Sequence, residues 1–535
     1  MSATATGASR AGSGLSAGRA DVTAAVAGLV AAGAALGMSE LLAGILAGGS
    51  SLIAAVGQVV IDLQPPGAKD LVVALFGTND KLALEVVVVT VALGFGAVLG
   101  LGARRRFALG ALGFAAFGAI GFLASLGDPV SSPPITVVST VVAVGAGVWL
   151  LGWLLGPGTP AGAGVVQPAP GGMGVTRMPD WSRRSFLVRA GGIGVGALAA
   201  GFIGRALLER QRIAPIGSGP VAPPASETVS ALLPEADLAP SVAGLTPIVM
   251  PNDRFYRIDT ALLTPIVDTA GWTLRIHGLV DRETTLTWEE LIGLPMIEQY
   301  VTIACVSNEV GGDLVGNAKW TGVRLRDVLD LAGVQSSATQ LVGRSVDGWT
   351  AGMPTAWVMD PVREPMIALK MNDEPLPPAH GYPARLIVPG LYGYVSATKW
   401  LKELELTTLE SFDGYWVPLG WAKEAPILTQ SRIDTPRGGR AAAGTVPVAG
   451  IAWAPDRGIS RVEVAVDGIW QEARLSAPIS DATWVQWVYD WPATPGRHVL
   501  QVRATDGTGE MQTELRTPPA PDGARGWHTV SVEVG

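Results

Sequence analysis

The chain has one cysteine in 535 residues, and the residues around it limit what it can do. Cys305 closes an apolar run, Gln-Tyr-Val-Thr-Ile-Ala-Cys at 299–305, and Val-Ser-Asn-Glu-Val-Gly-Gly follows it. A thiolate presented at a strand end is a nucleophile or a metal ligand; a thiol in the same place is also often a small buried hydrophobe. Gly311 and Gly312 would let backbone come close to a bulky ligand. Zinc is poorly supported, because there is no second cysteine and no two of the four histidines stand at ligand spacing. A Cys–His hydrolase pair is poorly supported too, since His277 and His380 are distant in sequence and nothing beside them orients an imidazole. A lone cysteine also forms no intramolecular disulfide, so an exported domain here depends on its core alone.

The elements that must position Cys305 belong to the second of two differently built halves. Gly, Ala, Val and Leu dominate up to about residue 208, whereas 15 of the 17 tryptophans and all four histidines come after residue 180. Only 16% of residues are charged, and such a composition places part of the chain in lipid. The net charge of −8 offers no basic surface for phosphates, which sets nucleic acid aside as a partner.

Crossing about 30 Å of hydrocarbon takes roughly 20 apolar residues. Five stretches qualify, at about 22–47, 82–102, 107–127, 134–156 and 186–208, making residues 1–210 a transmembrane anchor. A sixth apolar region, 51–77, is interrupted by Asp62, Pro65, Pro66, Lys69 and Asp70 and is expected to be an interfacial or re-entrant loop. Arg10 and Arg19, then Arg104 to Arg106, then Arg177, Arg183 and Arg184 all fall on one side of a five-span arrangement. That side is the cytoplasm, so everything after about residue 208 is expected outside the cell membrane. The fifth span opens with Ser-Arg-Arg-Ser-Phe-Leu at 182–187, which resembles a twin-arginine signal for exporting folded proteins; Arg183 and Arg184 as plain inside-positive charges are the alternative. No span contains a histidine, so the anchor is not expected to hold a b-type haem. Apart from Glu40, Glu85 and residues near span ends it also lacks the charges of an ion path.

After a linker at 211–229 the pattern becomes that of an α+β domain over 230–425. Trp-Thr-Leu-Arg-Ile-His-Gly-Leu at 272–279, the run ending at Cys305, and Ala-Arg-Leu-Ile-Val around Arg385 are expected strands. Residues 287–294 form an expected helix with Thr287 and Glu290 as a capping box. A second helix is expected over 323–333, closed by Gly333. From 426 to 535 period-two alternation and the turns Asp467-Gly468 and Asp506-Gly507 point to an all-β sandwich of immunoglobulin-like size. Trp484, Trp487 and Trp491 are expected in its core or at an interface.

Four segments in this order resemble the sulfite oxidase family of molybdopterin enzymes across the whole outer half, about 230–535. Asn-Asp-Arg-Phe-Tyr-Arg-Ile-Asp-Thr-Ala-Leu at 252–262 resembles the segment that touches the pterin, through Asn252, Phe255 and Tyr256. Thr-Ile-Ala-Cys-Val-Ser-Asn at 302–308 resembles the loop whose cysteine binds molybdenum, with Asn308 closing it. His-Gly-Tyr-Pro-Ala-Arg through Lys-Trp at 380–400 resembles the pterin-binding stretch. Ser431–Pro436 and residues 518–534 resemble the family's immunoglobulin-like dimerisation domain. The resemblance implies a molybdenum–molybdopterin cofactor with Cys305 as its one protein ligand. It implies an anionic pterin phosphate held by Arg385, Ser396, Thr398 and Lys399 with Gly393 turning amides inward, and His380 and Asn252 as neutral contacts to the ring system. Tyr415, in Phe-Asp-Gly-Tyr-Trp at 412–416, is the expected residue at the metal's open face, core packing being its alternative.

The resemblance further implies two-electron oxygen-atom transfer on a small extracytoplasmic substrate. Sulfite-oxidising members carry Arg directly after Cys-x-x-Asn, whereas this chain has Glu309, and Val395 stands where those members have another Arg. Sulfite and S- or N-oxides therefore both stay open as substrates. The sequence has no cysteine set for an iron–sulfur cluster and no Cys-x-x-Cys-His or His-Pro-Gly-Gly haem motif, so a separate cytochrome or membrane redox partner is expected. A homodimer through the C-terminal domain is a further expectation. The rival readings are an anchored scaffold with an empty site, and a transporter with an outer sensor domain.

Overall fold

The computed structural model describes residues 8–46, 49–65, 75–76, 80–128, 131–156, 183–213, 226–436 and 439–535. They divide into two compact units, Met1–Ala214 with Thr260–Thr264, and Pro215–Asp259 with Pro265–Gly535.

The first unit is helical: α1 Ala8–Ile45, α2 Leu52–Asp62, α3 Asp80–Arg105, α4 Phe107–Ser125, α5 Pro133–Leu155 and α6 Arg183–Ile213. All but α2 contain a segment long and apolar enough to cross a membrane, by length and composition. At 11 residues α2 is too short, at a rise of about 1.5 Å per residue. It covers the first part of the sixth apolar region, most of whose remainder lies outside the described residues. Glycine lets these helices approach closely: a Cβ on Gly28 would stand 2.1 Å from Gly96 O, and one on Gly44 2.3 Å from Gly204 O. The carboxylates expected to stand out in the spans have partners. Glu40 accepts from Ser51 Oγ at 2.7 Å, and Arg205 pairs with Glu85 at 2.9 Å. Ser182 of the expected export signal, and Arg177 of the arginine group before the fifth span, lie outside the described residues.

In the second unit, one sheet runs Ser226–Thr228, Met296–Ala304, Val315–Arg324, Met366–Met371, Arg385–Ile387. A second runs Thr284–Thr287, Thr273–Gly278, Leu401–Thr407, Gln340–Ser345, Thr350–Pro354. The helices between them are single turns. Trp288–Ile292 has the expected capping box, with Thr287 and Glu290 bonded reciprocally. The helix expected over 323–333 is shorter, Leu325–Asp330. Val323 and Arg324 instead finish a strand, because Val323 is fully buried opposite Ile367 and the sheet claims it. Gly333 does close this segment, at φ +71°.

The C-terminal part is β-rich. A sheet of Gln430–Thr435, Gly444–Trp453, Val485–Ala493 and Arg474–Leu475 faces one built from Arg440–Ala441, His528–Val534, Gly496–Asp506, Ile459–Val466 and Ile469–Glu472. Val448, Val464, Trp487, Leu500 and Val532 fill the space between. Trp484 belongs to the other core instead: its indole donates to Ile248 O at 2.9 Å and its backbone N–H to Thr302 Oγ1 at 2.8 Å. The sandwich is thereby joined to the strand that ends at Cys305.

Candidate active site

Met296–Ala304 is paired along its length with Val315–Arg324, so the chain must reverse between them, and Cys305 is the first residue of that reversal. Cys305 N–H donates to Leu314 O at 2.9 Å, Asn308 N–H to Cys305 O at 3.1 Å, and Leu314 N–H to Asn308 Oδ1 at 2.9 Å. Asn308 thus closes the loop. Gly311 and Gly312 are required for a different reason from the one expected. A Cβ on Gly311 would lie 2.3 Å from the His528 ring, and one on Gly312 2.5 Å from Asn308 Oδ1, so protein rather than ligand presses on them. Arg432 Nη1 donates to Gly312 O at 2.8 Å while its Nε binds Asp434 at 2.7 Å. The Cys305 side chain is half-buried, with Sγ 2.9 Å from Ser307 Oγ.

The other side of the site is aromatic and cationic. Phe255 lies 5.3 Å from Tyr256 and meets Trp320 and His380 edge-on at 5.9 and 5.6 Å. His380 Nε2 donates to Asn252 O at 2.9 Å. Burial pushes His380 down to about 4, so it is neutral near pH 7. Asn252 spends its amide on Met371 O and Glu374, so the expected Asn252 and His380 meet each other.

Arg385 starts the edge strand and is 3% exposed. Its Nη1 donates to His380 O at 3.1 Å and its guanidinium stands 5.1 Å from the Trp320 ring centre. Its Nε is buried without a partner, and burial pushes its pKa down to about 10. Lys399 is different: Nζ donates to Asp259 at 3.0 Å and to Ala379 O at 3.1 Å, and Asp259 also accepts from Arg257 Nε at 3.0 Å. Burial still outweighs Asp259 and brings Lys399 down to about 8, Arg385 adding to the effect. Gly381, at φ +113°, lets both side chains start from one point, since a Cβ there would be 3.0 Å from Lys399 Cα and 3.2 Å from Arg385 Cβ.

The hydroxyls expected at a phosphate face backbone. Ser396 Oγ donates to Tyr392 O at 3.0 Å and Thr398 Oγ1 to Gly343 O at 3.4 Å. Gly393 opens a single helical turn, and a Cβ on it would be 3.7 Å from Ala304 O and 3.9 Å from Tyr256 Oη. Tyr256 ties the two sides together. Burial, then the Cys305 charge, raises its pKa, and Arg385 opposes them. Tyr392, pushed up to about 12 by burial, also feels Cys305. Tyr415 stands at the strand Thr350–Pro354: its N–H donates to Thr350 O at 3.1 Å and its ring packs on Trp416 at 5.1 Å.

Asp259, Arg257, Ser307, Trp320, Gly381 and Tyr392 were not picked out from the sequence. Five of them sit inside the quoted segments, but their parts depend on partners up to 140 residues away, as in Lys399–Asp259.

Among the described residues no group of three or more His, Cys, Asp or Glu could hold a metal ion by itself. A metal that brings most of its own ligands needs only the thiolate, and an anionic cofactor supplies what the buried Arg385 Nε and the cation excess around Asp259 lack. The residues present fit molybdopterin.

Comparison with known proteins agrees. Residues 261–416 match the family described as "Oxidoreductase molybdopterin binding domain". The mitochondrial sulfite oxidase of Homo sapiens is 30% identical over 342 residues, 54% of this chain and 62% of that one. Nitrate reductase [NADH] 1 of Oryza sativa subsp. japonica is 35% identical over 178 residues, 28% of this chain and 19% of that one. The sulfane dehydrogenase SoxCD of Paracoccus pantotrophus aligns at TM-score 0.47 and 24% identity over 54% of this chain and 82% of that one. The chain therefore spans less than two thirds of the curated relatives it matches. With the thiol loop and the cationic segment on one unit, the chain carries the molybdopterin-binding domain of a molybdenum oxidoreductase, similar to sulfite oxidase and nitrate reductase, with molybdenum bound to molybdopterin as its cofactor.

Proposed function

We propose that this chain is a multi-pass protein of the cell membrane whose second unit is an extracytoplasmic enzyme for two-electron oxygen-atom transfer. The observation that carries the reading is Arg385, a buried guanidinium with an unpartnered Nε, on the same unit as a half-buried thiol and linked to it electrostatically through Tyr256. When bound, the cofactor supplies a metal that exchanges two electrons as oxygen passes to or from substrate. Cys305 is its protein ligand. Arg385 and Lys399 hold the phosphate, the hydroxyls of Ser396 and Thr398 having to leave their carbonyls to join them. His380, neutral, fixes the Asn252 backbone against the aromatic wall.

Glu309 and Asp313 are exposed on the Cys305 loop. Carboxylates there repel a dianion, which favours an S- or N-oxide over sulfite. The five apolar helices and the placement of arginines support anchoring with the second unit outside, and the Arg183-Arg184 pair supports export after folding. Electrons are exchanged with a separate cytochrome or membrane redox protein. The two facing C-terminal sheets support an immunoglobulin-like sandwich and pairing of two chains through it.

The test is metal analysis and dye-coupled turnover of the full chain purified from membranes of a host that makes the cofactor. Near-stoichiometric molybdenum, with turnover on at least one of sulfite, nitrate, S-oxides or N-oxides, is expected. Protein without molybdenum would overturn the proposal.

A further inference from the structure

Among the described residues, the side chain within hydrogen-bond reach of Cys305 Sγ is Ser307, at 2.9 Å. In a protein thiol either atom can donate. A thiolate on a metal has no proton, so in the loaded protein the hydroxyl must be the donor. We propose that Ser307 is a positioning residue that donates to the metal-bound Cys305 sulfur and thereby raises the reduction potential of the cofactor's metal. The inference rests on Cys305 being the ligand, as proposed above.

The hydroxyl is held in place from several directions. Asn308 N–H to Cys305 O, at 3.1 Å, closes a tight turn with Ser307 inside it. Cys305 N–H to Leu314 O and Leu314 N–H to Asn308 Oδ1, both at 2.9 Å, fix both ends of the loop. From outside, Arg432 grips Gly312 O and the His528 ring abuts Gly311. Ser307 is half-buried, so water competes with it less than at an open surface. A hydrogen bond to a thiolate draws electron density from sulfur and weakens its donation to the metal. The more electron-rich, reduced metal is then favoured, and hydrogen bonds to sulfur are among the levers that set such potentials.

The experiment uses the full-length protein loaded with cofactor, as wild type, Ser307→Thr, Ser307→Val and Ser307→Ala. Thr keeps the hydroxyl and Val removes it at equal shape, so this pair answers even where Ala disturbs the loop. Molybdenum content, midpoint potentials followed by the metal's paramagnetic signal, and the metal–sulfur stretching frequency are measured. Expected is a Thr variant close to wild type, and Val and Ala variants with midpoints shifted to lower potential, a higher stretching frequency and dye turnover changed by roughly 10-fold. Unmoved potentials and stretching frequencies in Val and Ala proteins that hold molybdenum would overturn this inference alone. A wild-type protein lacking molybdenum would overturn the function proposed above and this inference with it.

Discussion

The two sides of the site are held in place by different means. The thiol loop is closed by its own Asn308 and Leu314 and is also gripped from the C-terminal β-rich part, by Arg432 on Gly312 O and by His528 against Gly311. The cationic segment 380–400 is tied to its own stretch, with Trp400 Nε1 on Pro378 O at 2.8 Å and Trp400 N–H on Gly381 O at 3.1 Å, and to the early segment through Lys399 on Asp259 and His380 on Asn252 O. Electrostatics divide the same way. The thiol is half-buried, whereas Arg385 and Lys399 are buried charges, Lys399 paired with Asp259 and Arg385 in no salt bridge among the described residues. In the proposed function one side presents a ligand, and the other offers buried cations that a bound anion would neutralise.

Changing each side should therefore fail in its own manner. Cys305→Ser removes the proposed ligand while changing little volume. Turnover should fall by more than the roughly 100-fold that outer-shell changes cost, while the melting temperature of the apoprotein stays within a few degrees. Turnover within tenfold of wild type would mean that another group holds the metal. Arg385→Met should move two quantities in opposite directions. Losing charge-assisted bonds of about 2–3 kcal/mol weakens cofactor retention by roughly 30- to 150-fold. The apoprotein, freed of a buried charge without a carboxylate, should melt higher. A lower melting temperature for the apoprotein would show that Arg385 is a structural residue.

His380 sharpens the comparison through pH. Its folded pKa of about 4 lies below the unfolded value near 6.5, so as pH falls the unfolded chain takes the proton first. Stability from the neutral ring is full above about 6.5 and is lost as pH falls toward about 4, on the order of 3 kcal/mol. Denaturant titrations of wild type and His380→Gln from pH 7 to 4 should show a steeper loss in the wild type. Parallel curves would mean that His380 charges as readily in the fold as in the open chain.

How much of this was legible in the sequence depended on the distance between partners. The five apolar helices follow from composition, and the capping box Thr287–Glu290 from two residues three apart. Cys305 and Arg385 were marked by their neighbours along the chain. Asp259 was not, since its meaning lies in Lys399, 140 residues away, and as one of two Asp beside two Arg in its segment it has no distinguishing type. Gly311 was noticed for its flexibility, but its reason, the ring of His528, is 217 positions downstream. Ser396 and Thr398 donate to backbone carbonyls in the fold, which their neighbours along the chain could not show, because hydroxyls suit a phosphate and a carbonyl equally well.

The tyrosines give the smallest and most discriminating contrast. Tyr415 was expected at the metal's open face on its place in Phe-Asp-Gly-Tyr-Trp, and its ring packs on Trp416. Tyr256 stands where it feels both Cys305 and Arg385. A phenol there, kept protonated by burial, can donate to a negatively charged cofactor or substrate oxygen but gives up no proton near pH 7. Removing one such hydrogen bond costs about 0.5–1.5 kcal/mol. Dye-coupled turnover of Tyr256→Phe should thus fall roughly 2- to 10-fold with an unchanged pH profile, and that of Tyr415→Phe by less than about 2-fold. The reverse order would return the open face to Tyr415 and leave Tyr256 as part of the aromatic wall with Phe255.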